Sequence, residues 1–276
     1  VAIDKQRFKE FEKEMRALQE GVSFESYYET FRSKLSDYLA KIEGSARDQT
    51  IKILSKNIDQ MFSPELAKYT KEVIGNFNSV IDLVNAKYSD IGFDIARDFG
   101  KLQAFERLSI EQFGRYRKST IGGLTKLLRK ELIAGKSSKQ IAKKIREKFK
   151  GKASFYAETI ARTSVKGYGR ESKHEKSRLG EVFYFEYVGI RRKQTRPFCV
   201  HMIGTTHHID RIKGMRNGNL EPVETYCGGW NCVHDWEPDP FAKEGSEGNW
   251  QEVEVGKKKV KLYVKEDLSG GFDEDT

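Results

Sequence analysis

Across residues 1–134 the apolar positions return at steps of three and four. Phe8, Phe11, Met15 and Leu18 form one stripe, and Phe24, Tyr28, Phe31, Leu35, Leu39 and Ile42 form a second beyond Gly21. Side chains three and four apart share one face of a helix, so each stripe predicts a helix with one side to bury. A third stripe, Leu66, Tyr69, Val73, Phe77, Val80, Val84 and Tyr88, follows Ser63-Pro64. The proline predicts a helix starting there, because its missing N–H is unpaired in any first turn. Gly92 is expected to end or turn that helix. Phe105, Leu108, Gln112 and Phe113 predict another, interrupted at Gly122-Gly123 and resumed by Leu124, Leu127, Leu128 and Leu132.

Ser137 and Gln140 have the spacing of a capping box, which predicts a short helix burying Ile141, Ile145 and Phe149. Gly151 separates it from a helix with Tyr156, Ile160 and Ser164, on which Arg162 is expected as a buried or half-buried structural arginine. The period changes after Gly180. Val182, Tyr184, Glu186 and Val188 alternate with Phe183, Phe185 and Tyr187, which is strand-like. Glu252-Val253-Glu254-Val255 and Lys259-Val260-Lys261-Leu262-Tyr263-Val264 predict a hairpin around Gly256-Lys257, with glutamates opposite lysines on its polar face. Residues 266–276 are acidic and expected to be flexible. The fold class is therefore α+β: a helical region at 1–134, a mixed module at 135–244, a β-hairpin extension at 245–265 and the tail.

Composition narrows the function classes. The 276 residues are 37% hydrophobic, 12% aromatic and 33% charged, values that suit a folded chain. There is no apolar run near the roughly 20 residues that cross a bilayer, and the start Val1-Ala2-Ile3-Asp4-Lys5 has no signal-peptide core, so no membrane partner is expected. The formal charge of +9 is uneven: Lys101 to Arg178 holds 22 Lys or Arg against 7 Asp or Glu. Such a block meets nucleic acid, an acidic protein surface or solvent.

All three cysteines and four of the five histidines fall between Cys199 and His234. Cys199-x-His201 and Cys227-x4-Cys232-x-His234 offer five donors of the kind that zinc takes in tetrahedral sites, so Cys199, Cys227, Cys232 and His234, with His201 as an alternative fourth, are the candidate ligands of a structural zinc. Two other readings compete. One is a Cys199–Cys232 disulfide that leaves Cys227 unpaired; the other is plain packing of free thiols beside Phe198, Trp230 and Trp236. His207-His208, Asn219 and His234 have the residue order of a metal-dependent nuclease, and Cys199 with His201 that of a thiolate and its base; neither has the accompanying motif.

Four short segments in order, Ser137-Ser138-Lys139-Gln140-Ile141-Ala142, Ile160-Ala161-Arg162-Thr163-Ser164-Val165, Arg196-Pro197-Phe198-Cys199 and Gly228-Gly229-Trp230-Asn231-Cys232-Val233-His234-Asp235-Trp236, resemble the phage head morphogenesis (Mu F-like) minor head proteins. The resemblance covers roughly Gly135 to Pro240 and departs at Val233, where family members often carry arginine. It implies a minor capsid component acting near the portal in head assembly or genome delivery, with no catalytic residues to carry over and no enzyme activity. Expected partners are the portal or major capsid protein and packaged DNA; expected locations are the host cytoplasm during assembly and then the virion head. A metal-dependent nuclease or other processing enzyme, and a non-catalytic DNA-binding head protein, remain the alternatives.

Overall fold

The computed structural model describes residues 5–21, 23–42, 47–149, 152–242, 249–255 and 258–264. Six helices come first: α1 (Lys5–Glu20), α2 (Glu25–Ile42), α3 (Arg47–Lys87), α4 (Gly100–Ile133), α5 (Ser138–Phe149) and α6 (Lys152–Leu179). Short elements follow: β1 (Tyr184–Val188), α7 (Pro197–Met202), β2 (Thr206–His208), α8 (Ile209–Gly214), α9 (Val223–Tyr226), β3 (Asp235–Pro238), β4 (Asn249–Val255) and β5 (Lys258–Val264). The fold is α+β, with the helices in the N-terminal part as the residue pattern predicts.

Two predicted breaks are absent. Pro64 does not start a helix but lies inside α3. An interior proline removes a backbone hydrogen bond and costs about 3 kcal/mol. Here the apolar stripe runs unbroken through it: Leu54, Ile58, Phe62, Leu66, Tyr69 and Val73 are all buried. Each such side chain contributes about 1.5–3 kcal/mol, so burial outweighs the proline several times over. Gly122-Gly123 likewise sits within a continuous α4, flanked by buried Ile121 and Leu124.

The chain forms two compact units that interleave in sequence. One takes the described residues of Arg16–Phe77 and Gln103–Val165 and is wholly helical. Its core is aromatic. Phe24 meets Tyr69 at 4.9 Å and Phe31 meets Phe62 at 5.0 Å, both edge to face. The capping box closes reciprocally: Ser137 N donates to Gln140 Oε1 at 3.1 Å and Gln140 N to Ser137 Oγ at 3.4 Å. Ile141 and Ile145 are buried as predicted, whereas the Phe149 side chain, the 150–151 junction with Gly151 and the 266–276 tail lie outside the described residues. Arg162 corrects an expectation. Its side chain is 48% exposed and pairs with Glu158, one turn back at 3.6 Å.

The other unit takes the described residues of Val1–Met15, Asn78–Leu102 and Lys166–Thr276. Its three-stranded antiparallel sheet has the order β2-β1-β3, with Phe185 opposite His207 and Tyr187 opposite Trp236. β1 starts at Tyr184 and not at Val182, because Val182 N still bonds Ser177 O at 2.8 Å in the exit from α6. That exit requires glycine: a Cβ on Gly92, which has φ +56°, would lie 2.6 Å from Gly180 N. A buried cluster including Phe185, Tyr187, Phe198, Met202, Val223 and Trp236, together with all three cysteines, forms the core beside the sheet. β4 and β5 pair as the predicted hairpin, with Glu252 opposite Lys261 and Glu254 opposite Lys259. The Gly256-Lys257 turn lies outside the described residues.

Candidate metal centre

Three of the five predicted ligands meet. Cys199, Cys232 and His234 are all buried, and one donor atom from each lies within 4.8 Å of the others. Cys199 sits on α7, whose first turn is set by Pro197. Cys232 and His234 flank the turn into β3. Cys227 and Asn231 take positive φ of 50° and 53°, and Gly229 takes 102°, so the chain reverses sharply between Tyr226 and Cys232. Gly228 lies inside that turn, where an added Cβ would overlap Cys199 Sγ and stand 3.2 Å from Cys232 Sγ. Only glycine fits there. Its N–H donates to Cys232 Sγ at 3.2 Å. On the far side the His234 ring lies against Gly189, where a Cβ would again overlap it.

The spacing separates the disulfide from the other two readings. Cys199 Sγ and Cys232 Sγ are 3.7 Å apart, and both cysteines are free thiols; a disulfide needs about 2.05 Å. Around a tetrahedral zinc with Zn–S of about 2.3 Å and Zn–N of about 2.0–2.1 Å, the S···S edge is about 3.8 Å and the S···N edge about 3.6 Å. The observed S···S distance is 3.7 Å, and Cys232 Sγ to His234 Nδ1 is 3.6 Å. Both edges fit. His234 Nε2 is buried with no hydrogen-bond partner among the described residues.

Without metal the two thiols share a proton unequally. The bond between them, helped by burial, pushes Cys199 up, while the same bond, with the His234 imidazole and Arg170, holds Cys232 well below the usual thiol range. A lowered Cys232 thiol favours the thiolate, the state that binds metal. Cys227 is buried too, and burial raises its thiol far above the ordinary value. It belongs to the same core but not to the three-residue group. His201, half-buried in the last turn of α7, also lies outside that group.

Arg170 on α6 positions the loop that carries Cys232 and His234. It is 2% exposed and donates to Thr225 O at 3.0 Å, Cys232 O at 3.1 Å, His234 O at 2.6 Å and Asp235 Oδ1 at 3.3 Å. A planar guanidinium can serve so many acceptors at once; an ammonium cannot. One turn on, Lys173 bridges Asp235 Oδ2 at 2.8 Å and Glu237 Oε1 at 2.5 Å, and Tyr88 donates to Glu237 Oε2 at 2.6 Å. Burial opposes the Asp235 charge, but Lys173 and Arg170 prevail and its carboxyl falls below the usual range; burial raises Glu237. Lys166 and Lys176 also lie inward, paired with Glu12 at 3.1 Å and Asp94 at 3.1 Å. Lys166, Arg170, Lys173 and Lys176 of the basic block are thus turned inward into ion pairs and do not form a solvated face.

The nuclease-order residues do not gather. His207 is buried with Nε2 at 2.9 Å from Thr205 Oγ1, and His208 caps α8 by accepting from Asp210 N at 3.3 Å. Asn219 lies against Gly229. Three site residues escaped the residue pattern: Arg170, Tyr187 and Gly189. Their available signals were the glycines of Gly167-Tyr168-Gly169-Arg170, costly inside a helix unless something packs closely, and the alternation that puts Tyr187 on the same face as Phe185. Met15 Cε does come within 3.0 Å of a Cβ built on Gly169. Comparison with known protein families, with curated proteins and with solved structures yields no match to this chain.

Proposed function

We propose that this chain is a minor head protein that associates with a portal or coat protein during capsid assembly, and that its α+β unit is locked by one structural zinc held by Cys199, Cys232 and His234. The observation that carries the reading is convergence: Arg196-Pro197-Phe198-Cys199 and Gly228 to Trp236, the segments that resemble Mu F-like proteins, meet at one buried cluster. Arg196 Nη2 even donates to Trp230 O at 2.6 Å, tying one segment to the other. Distinctive residues that are spent on each other, closed to substrate, suit a part that must hold its shape and bind a partner. Zinc supplies a covalent-strength crosslink between two loops, and its binding energy is folding energy for the unit.

The test is co-expression with the portal and major capsid proteins of the parent phage. Pull-down recovers one of them, and purified procapsids contain the chain. Particles lacking it at every assembly stage would refute the reading. DNA contact is the second reading, favoured by Lys126, Arg129, Lys130, Lys136 and Lys139, all exposed in the helical unit.

A further inference from the structure

Three donors leave a tetrahedral ion one vertex short, and neither Cys227 nor His201 supplies it. The group next to both sulfurs is a phenol. Tyr187 Oη lies 3.3 Å from Cys199 Sγ and 3.7 Å from Cys232 Sγ. Around zinc with an oxygen ligand at about 2.0–2.2 Å, the S···O edge is about 3.6 Å. The two sulfur-to-oxygen distances bracket that value, so with the S···S and S···N edges the site presents three tetrahedral edges within about 0.1 Å of the length zinc requires and a fourth about 0.3 Å shorter. From this we propose that Tyr187 Oη is the fourth ligand, making a closed centre of two thiolates, one imidazole and one phenol oxygen; the inference rests on the zinc reading above.

Two further features agree with it. Tyr187 is held in place by its surroundings: its ring meets Trp236 edge to face at 4.6 Å and stacks on His234 at 5.7 Å with a 10° interplanar angle. Its oxygen is directed at the sulfurs and the residue is fully buried, so no water needs to enter to complete the sphere. The charge balance is also favourable. Zinc and two thiolates are neutral together, and the buried Arg170 guanidinium is an electrostatic neighbour of both Cys232 and Tyr187. A tyrosine ligand that draws negative charge to its oxygen on binding therefore has a cation close by.

The experiment uses the full chain loaded with cobalt(II) in place of zinc, as wild type, Tyr187→Phe and Cys227→Ser. Wild type is expected to give the intense visible bands of a four-coordinate thiolate site. Tyr187→Phe, which keeps the ring packing, binds cobalt about tenfold or more weakly, and its bands move as solvent takes the open vertex; an added small anion moves them again. The spectral change is decisive, since loss of a hydrogen bond to a thiolate would weaken binding alone. Cys227→Ser leaves the spectrum unchanged. A Tyr187→Phe spectrum that superimposes on wild type, or a third thiolate lost in Cys227→Ser, overturns the inference while leaving the zinc site standing. Wild type that takes up neither metal overturns both. A near-ultraviolet difference spectrum of unmodified protein on adding zinc needs no variant: a perturbed tyrosine band is expected, and its absence counts against Tyr187.

Discussion

Replacing Arg170 by methionine tests the claim that one side chain holds the metal loop. Methionine fills similar volume but returns none of the four hydrogen bonds. The ionic loss is modest, because Asp235 keeps Lys173 at 2.8 Å. The larger cost lies in the carbonyls of Thr225, Cys232 and His234, to which Arg170 donates. Leaving a buried acceptor unpaired costs about 1–3 kcal/mol, and three that relax together come to about 4 kcal/mol. That is a large share of the stability of an ordinary domain, roughly 5–15 kcal/mol. Urea unfolding followed by tryptophan emission is the natural assay, since Trp230, Trp236 and Trp250 all belong to the α+β unit and report on it alone. Arg170→Lys should recover only part of the loss, because three donors on one nitrogen cannot reach the same acceptors. Lys213→Met is the control, since it breaks an exposed pair with Asp210 in the same unit and should cost about 0.5 kcal/mol or less. If Arg170→Met costs under about 1 kcal/mol, the carbonyls are served by something else and the positioning argument fails.

Further outcomes follow from the same geometry. His174 is buried and that burial lowers its pKa to about 4, with Nε2 at 3.0 Å from Glu224 O. Its folded pKa lies below the unfolded value of about 6.5, so its contribution is complete above that pH and is lost as pH falls toward 4, by about 3 kcal/mol in all. His174→Gln should therefore flatten the stability profile between pH 6.5 and 4 relative to wild type; parallel profiles would show that His174 titrates normally. Metal analysis of protein purified without chelator should find about one zinc per chain, falling to near zero in Cys232→Ser; near-zero content in folded, reduced wild type would refute the site. Gly228→Ala should cost about 2–4 kcal/mol and displace metal, because the added Cβ overlaps Cys199 Sγ. A variant that folds and holds zinc normally would mean the turn has room the geometry denies. Duplex DNA, if bound by the exposed lysines of α4 and α5, should dissociate steeply with salt and without sequence preference; no retention at low salt would assign that face to solvent or protein.

The helical stripes were legible because burial on one face writes a period into the chain, and Phe24 to Leu39 carried it without exception into the core. The strand and hairpin were legible for the same reason at period two. The pattern misled at Pro64 and Gly122-Gly123, where local propensity is worth a few kcal/mol and the continuing stripe is worth more. At the centre, residue chemistry singled out the ligand types but not their geometry. Five donors at workable spacings could not reveal which three meet, with Cys227 and His201 outside the group. Nor could it show Arg170, since one of three arginines on a helix that also holds four lysines looks like another solvated charge until its acceptors, more than fifty residues away, are in place.

The interleaving of the two units has a consequence for how the chain is made. Residues emerge from the ribosome in order, and the helical unit draws its last segment from Gln103–Val165. It can complete its core while the α+β unit still lacks every strand. Tyr88 must then wait for Glu237, 149 residues later, and α6 must carry Arg170 and Lys173 without their acids until β3 is synthesised. During that interval the inward-facing cations are hydrated and harmless, whereas an apolar stripe left open as long would invite aggregation. A charge-lined seam therefore lets an early segment remain soluble until its partner is translated.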